Sequence, residues 1–325
     1  VHSQLNATAV ARIERPRSLA ALRAVIAQAR VGGLSVSIAG GRHAMGGQQF
    51  ASGALHIDTG ALNAVLGSDA VRGWLHMEAG ATWPQIIEAS HRISGPDVAT
   101  WGIRQKQTGV DAVSLGGSIS ANAHGRGLLM QPLGDDIENL TLVNAKGDVI
   151  LCSREHNAEL FSLVIGGYGL FGVIYSATLR LAPRQRLQRV VDIIDLDDAM
   201  NAVLRRVDEG CCYGDFQWLE GQTLATRLRR GVLACYKPAP LDAAHHEAAD
   251  LPPETWLRLL QLAHEDKRAA FRLYAQHYLA THGQCCWSDT MQQSTYLPSY
   301  AEYLERARGD APRREEVRKP EWTPK

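Results

Sequence analysis

Residues 38–50 read Ile-Ala-Gly-Gly-Arg-His-Ala-Met-Gly-Gly-Gln-Gln-Phe, directly after the alternating run Leu34-Ser35-Val36-Ser37-Ile38. Two glycine pairs, Gly40-Gly41 and Gly46-Gly47, flank His43. Glycine has no Cβ, so paired glycines admit positive φ and leave room for another group to approach the backbone. Two readings fit this pattern. The loop is a plain turn with a hydrogen-bonding surface histidine, or it holds a phosphate-bearing cofactor with His43 at its chemical end. The loop alone does not separate them.

At 325 residues the chain has material for about two domains and a sizeable core. Its 34 basic and 34 acidic side chains cancel, so no net field attracts nucleic acid or an anionic membrane surface. The longest apolar stretch, 163–175, is interrupted by four glycines and is too short to span a bilayer as a helix. The six cysteines, at 152, 211, 212, 235, 285 and 286, include two adjacent pairs and no Cys-x-x-Cys. That pattern is neither a secreted disulfide framework nor a zinc site, and it predicts reduced thiols in a cytoplasmic protein without a bound metal; export stays open as the alternative, since Val1-His2-Ser3-Gln4 carries neither a signal pattern nor an initiator methionine.

Ser18 is placed to cap a helix with Leu19, Leu22, Val25, Ile26 and Ala29 on one face, ended by Gly32-Gly33. Strands are expected at 34–39, 54–58 and 74–78, and Thr82 to Gln85 has capping-box spacing for a helix through Ser90. Residues 137–151 read as a hairpin turning at 145–148, and 171–181 as a further strand. A domain boundary is placed at 183/184. Beyond it a helix is expected over 196–209, strands near 213–219 and 229–236, and one long helix from Glu254 to Thr281. Residues 239–253, with His245-His246 and three prolines, read as a surface loop. The last fourteen residues, 312–325, carry eight charges and three prolines and are read as a tail without a core.

Gly167-Tyr168-Gly169-Leu170-Phe171-Gly172 matches the dinucleotide fingerprint of a Rossmann unit, which should open a helix. The residues that follow are β-branched and roughly alternating, so a strand is expected and the Rossmann reading is rejected. A better partner for the first loop is the segment 109–127, where small residues fill nearly every position before His124. Such a segment suits a backbone pressed against a planar or phosphate group, whose charge amide donors can meet. It equally suits a small-residue helix or strand packed in a core.

Three blocks in this order carry a resemblance: Gly-Gly-Arg-His-Ala-Met-Gly-Gly at 40–47, Gly-Gly-Ser-Ile…His-Gly at 116–125, and Gly-Gly-Tyr-Gly-Leu-Phe-Gly-Val-Ile at 166–174. Over about residues 8–182 the chain resembles the PCMH-type FAD-binding family, also called the vanillyl-alcohol-oxidase-like flavoproteins. The resemblance implies an α+β fold: a PCMH-type FAD-binding domain of two α/β subdomains at 1–183, then an incomplete α+β substrate domain at 184–311, then the tail. It implies FAD as cofactor, with His43 bonded to the flavin 8α-methyl carbon. It further implies that Gly40, Gly41, Arg42, Ala44, Met45 and Gly47 meet the pyrophosphate. Gly109, Ser114, Gly117, Ser118, Asn122 and His124 would line the pyrophosphate and ring, and Gly172 and Ile174 the adenosine half.

The second region, through 213–217, 229–232 and 288–300, resembles bacterial FAD-linked oxidoreductases. Gln217, Tyr236 and Trp287 are candidates for substrate contact there, each with an ordinary strand residue as the alternative. The implied reaction is oxidation of a small hydroxyl-bearing organic molecule by hydride transfer to FAD, with O2 reoxidising the flavin to give H2O2. Two alternatives stay open: a dehydrogenase passing electrons to another acceptor, and a flavin-binding protein without efficient turnover. Family members continue well past the point where the likeness fades, near Arg308, so the substrate domain is expected to be partial.

Overall fold

A computed structural model describes residues 6–94, 100–218, 229–244 and 251–293. The charged tail, His245-His246 and the stretch 294–300 lie outside the described residues. The chain divides into two compact units. One comprises 1–125 and 130–184, the other 126–129 and 185–325.

In the first unit, β1 (Arg12–Glu14) is followed by α1 (Leu19–Val31), β2 (Val36–Ala39) and β3 (Leu55–Asp58). Ser18 caps α1 by accepting from the Ala21 amide at 3.1 Å, which stabilises the helix by about 1 kcal/mol. The strands form a parallel sheet in the order β1-β3-β2. The stripe Leu22, Val25, Ile26 and Ala29 buries against Leu55 and Ile57 of that sheet.

Then come β4 (Val65–Asp69), β5 (Trp74–Glu78), α2 (Trp83–His91), β6 (Trp101–Gly102), α3 (Leu115–Ser120), β7 (Ile137–Val143), β8 (Val149–Ser153), α4 (Ala158–Val164), β9 (Val173–Arg180) and β10 (Ala182–Pro183). An antiparallel sheet in the order β4-β5-β9-β7-β8 carries α2, α3 and α4 on a core that includes Leu75, Met77, Ile86, Leu115, Leu140 and Phe161. The fingerprint at 167–172 runs into β9, a strand, so no Rossmann helix follows it. The small-residue segment resolves as a short helix: Ser114 Oγ accepts from the Gly117 amide at 3.2 Å to start α3.

The second unit adds β11 (Arg186–Asp195), α5 (Ala199–Asp208), β12 (Tyr213–Trp218), β13 (Arg230–Pro238), α6 (Pro253–Glu265), α7 (Lys267–Ala280) and β14 (Cys285–Trp287). Its antiparallel sheet runs β12-β13-β11-β14. The helix expected over 254–281 is two helices. Asp266 is extended at φ −145°, ψ 88°, and its carboxylate accepts from the amides of Arg268 and Ala269 at 3.0 Å. An aspartate that satisfies these amides offers the backbone an alternative to a continuing helix.

Alternation along the paired strands sorts the sheet into two faces. Val191, Val232 and Ala234 pack with α6 and α7, while Leu233 and Cys235 pack with Ala202 of α5. All six cysteines are free thiols.

Candidate functional site

Three segments of the first unit meet around a cleft of about 310 Å³, within the range of roughly 300–1,000 Å³ typical of small-molecule sites. The loop after β2 brings Gly40, Gly41, Arg42, His43 and Ala44. The start of α3 brings Ser114, Gly117 and Ser118, and the turn into β9 brings Gly172 and Ile174.

The glycines of the first loop leave room for a close approach to the backbone, and the groups that approach Gly40 and Gly41 belong to the chain itself. A Cβ on Gly40 would lie 1.9 Å from Ser114 Oγ, and one on Gly41 would lie 2.2 Å from the Ala112 carbonyl oxygen. They let two loops from distant parts of the chain press together, and so set the cleft wall. Arg42, between Gly41 and His43, is left-handed at φ +58°. Among the described residues, nothing accepts a hydrogen bond from the amides of Gly41, Arg42 or Ala44. Successive amides around a left-handed residue make a concavity suited to an anion. A diphosphate-bearing cofactor fits these donors.

Asp58, at the end of β3, holds Arg42 from below. Its carboxylate pairs with the Arg42 and Arg15 guanidiniums and accepts from the Gly60 amide at 3.1 Å. Burial works to raise its pKa, but these donors outweigh it and hold the carboxyl below the usual range. His56, two residues earlier, is 1% exposed. Its Nδ1 lies 2.9 Å from Ser37 Oγ and its ring 4.8 Å from that of Phe50. Burial, aided by the Arg42 charge, lowers its pKa against the pull of Asp58.

Five of the sequence candidates are not on the cleft lining. Met45 is half exposed, and Gly47 and Gly109 occupy positive-φ turns at +73° and +81°. Asn122 spends its side-chain oxygen on the Gly134 amide at 3.0 Å. His124 is exposed, with Nδ1 3.3 Å from the Gly125 carbonyl oxygen. Conversely, Thr59, Ala79, Gln107 and Tyr168 line the cleft and were not singled out. Tyr168 sat inside the rejected fingerprint, where its neighbouring glycines were the available signal; Gln107 carried none.

The substrate-contact candidates divide between the two sheet faces of the second unit. Tyr236 pairs with Arg189 and Tyr213, and the Arg189 guanidinium lies 5.1 Å from the Tyr236 ring. Gln217 is on that face and accepts from the Tyr274 hydroxyl. Trp287 pairs with Arg186, whose guanidinium stacks at 4.8 Å, on the opposite face. The sheet puts Gln217 and Tyr236 on one face, with Gln217 opposite Val232 and Tyr236 farther along β13, and Trp287 on the other. Tyr236 is 1% exposed, and burial pushes its phenol up to about 12.

Among the described residues no three His, Cys, Asp or Glu side chains gather as a metal site, and no helix is long and apolar enough to cross a membrane.

Residues 10–153 match the family described as FAD binding domain. An uncharacterized oxidoreductase of the fasciation locus of Rhodococcoides fascians is 33% identical over 167 residues, 51% of this chain and 36% of that protein. L-gulonolactone oxidase of Bos taurus is 30% identical over 175 residues, 54% of this chain and 38% of that protein. Cytokinin dehydrogenase 2 of Oryza sativa subsp. japonica is 28% identical over 250 residues, 72% of this chain and 42% of that protein. Among solved structures, a berberine bridge enzyme variant in complex with (S)-reticuline shares the fold at a TM-score of 0.53 and 20% identity, covering 69% of this chain and 44% of that one. The matched regions span less than half the length of each of these proteins.

Proposed function

We propose that the chain, whose residues 10–153 match the family described as FAD binding domain, is an FAD-dependent oxidoreductase of the PCMH-type, vanillyl-alcohol-oxidase-like family with the flavin attached through His43. The observation that carries this reading is the cleft itself: unengaged amides at 41, 42 and 44 beside an imidazole, closed from the other side by Ser114 and Ala112. When bound, FAD supplies a two-electron acceptor for a hydride from a hydroxyl-bearing carbon.

The residues of the chain do the rest. Gly41, Arg42 and Ala44 present amide protons to the pyrophosphate, and Asp58 pairs with the Arg42 guanidinium. Ser114, Gly117 and Ser118 form the opposite wall, and Ile38 and Ile174 add apolar lining that excludes water. His43 lines the same cleft. Neutral imidazole is a competent nucleophile near neutral pH, because its ordinary pKa is about 6.5. The substrate is a small organic molecule, and O2 is the proposed acceptor, giving H2O2. A dehydrogenase with a different acceptor is the second reading, supported by the cytokinin dehydrogenase among the relatives.

Acid denaturation of purified, FAD-loaded protein tests the attachment. Yellow colour should stay with the polypeptide and become dissociable in His43→Ala. Complete release from the wild type would refute covalent attachment, and retention in the variant would refute His43. With a reducing substrate in air, peroxide marks an oxidase; flavin that stays reduced until a dye is added marks a dehydrogenase.

A further inference from the structure

Lys106 is the one lysine among the largest fully buried side chains, and the chemistry proposed above does not use its charge. Its side chain is 0% exposed and that of its partner Asp111 is 7% exposed. The ammonium Nζ lies 2.6 Å from Asp111 Oδ1 and donates to the carbonyls of Gln107 at 2.9 Å and Val110 at 3.2 Å. The backbone over 107–111 therefore wraps around one cation, with the left-handed Gly109 making the bend.

A buried ion pair is a poor source of stability, since desolvation offsets most of the attraction. Its visible effect here is geometric. The same loop supplies cleft wall: Gln107, Val113 and Ser114 all line the cleft. The Gln107 amide donates to the Val110 carbonyl at 2.8 Å, while its oxygen accepts from Trp83 Nε1 at 2.8 Å and Ser118 Oγ at 3.2 Å. The end of the loop, at Ala112 and Ser114, is what the glycines beside His43 press against.

We propose that Lys106, clipped to Asp111, is a positioning residue for FAD: the buried ammonium sets the 107–114 wall against the His43 loop at the spacing the cofactor needs. This rests on the FAD reading, and because a flavin bonded to His43 does not dissociate, affinities are measured on apoprotein of the His43→Ala parent, whose titration with FAD comes first. No binding there overturns the FAD reading itself; binding there, with unaltered variants, overturns only the role of Lys106.

In the His43→Ala parent, Lys106→Met should raise the FAD dissociation constant by about tenfold or more and shift the visible flavin bands, a loss equivalent to about 1.4 kcal/mol per tenfold. Because a single charge left buried could unfold the chain, Lys106→Met/Asp111→Leu removes both. If the pair only stabilises, the folded double variant binds FAD as tightly as the His43→Ala parent, and the proposal fails. If it positions, affinity stays low in the folded double variant, because the carbonyls of Gln107 and Val110 have lost their anchor. Hydrogen exchange on the unaltered protein checks the same point without any substitution: FAD should slow exchange across 107–114, and unchanged exchange there would overturn the proposal.

Discussion

His56 sets a pH limit on the first unit. Its ring is buried and its pKa is lowered, first by burial and then by the Arg42 charge. In the unfolded chain it binds a proton near pH 6.5, while in the fold it stays neutral to lower pH. The unfolded state thus binds more protons across that interval, so the stability contributed by neutral His56 is present above about 6.5 and lost as pH falls through the folded value. Denaturant melts at pH 7.5 and 5 should show this loss, and His56→Gln should flatten it; an equal pH slope in the variant would assign the effect elsewhere. His76, also lowered by burial, adds slope of the same sign, while Asp136, pushed up to about 6 by burial, opposes it because there the folded state binds the extra proton. At this scale the sequence was half legible. The composition of the 40–47 loop marked the cleft, but the cause of its glycines did not show, because Ser114 and Ala112 reach Gly40 and Gly41 only once the chain has folded back. Asn122 and His124, expected as ligand contacts by their place in the block, lie off the cleft lining: one accepts from the Gly134 amide and the other is exposed.

Elements were most legible where a local device defines them. Ser18 and the Thr82–Gln85 pair open their helices as their spacing says; Gln85 Oε1 accepts from the Thr82 amide at 2.9 Å. The strand at β9 was readable from its β-branched content, which is why the glycine fingerprint before it misled nothing downstream. The break between α6 and α7 was illegible because the apolar period runs straight across it, and only the conformation of Asp266 interrupts it. Asp266→Ala should cost about 1 kcal/mol by leaving the Arg268 and Ala269 amides uncapped. Asp266→Asn, which keeps an acceptor, should cost less. A lower urea midpoint for the alanine variant at unchanged slope would show it, and identical midpoints for both variants would mean the cap contributes nothing. Sheet faces follow the same logic: Gln217, Tyr236 and Trp287 were chosen by type, but only the pairing register reveals that Trp287 is out of phase with the other two.

On the scale of the whole molecule, the cleft is lined by residues from 38 to 174, all from the first unit. The core formed by β11, β13, α6 and α7 in the second unit is built from separate side chains, Leu259 among them at 0% exposed. Leu259→Ala should therefore destabilise by about 2–5 kcal/mol while the FAD dissociation constant, measured in the His43→Ala parent where the variant is still folded, stays within about twofold of that parent. A parallel loss of affinity would mean that cofactor binding depends on the second core. The assignment of residues 126–129 to the second unit has no trace in the sequence, since composition changes only near 184. There the Leu128 amide donates to the Cys212 carbonyl at 3.0 Å, the Gly214 amide to the Arg126 carbonyl at 2.9 Å, and Arg126 Nε lies 3.2 Å from Asp215 Oδ2. The chain accordingly crosses the border between its units three times, and no single break in the gene separates them. A recombination event that exchanged only the codons after 184 would leave Asp215 facing a foreign residue where Arg126 belongs. Inheritance of the second unit therefore requires four codons from the middle of the first, which binds the two into one evolutionary cargo.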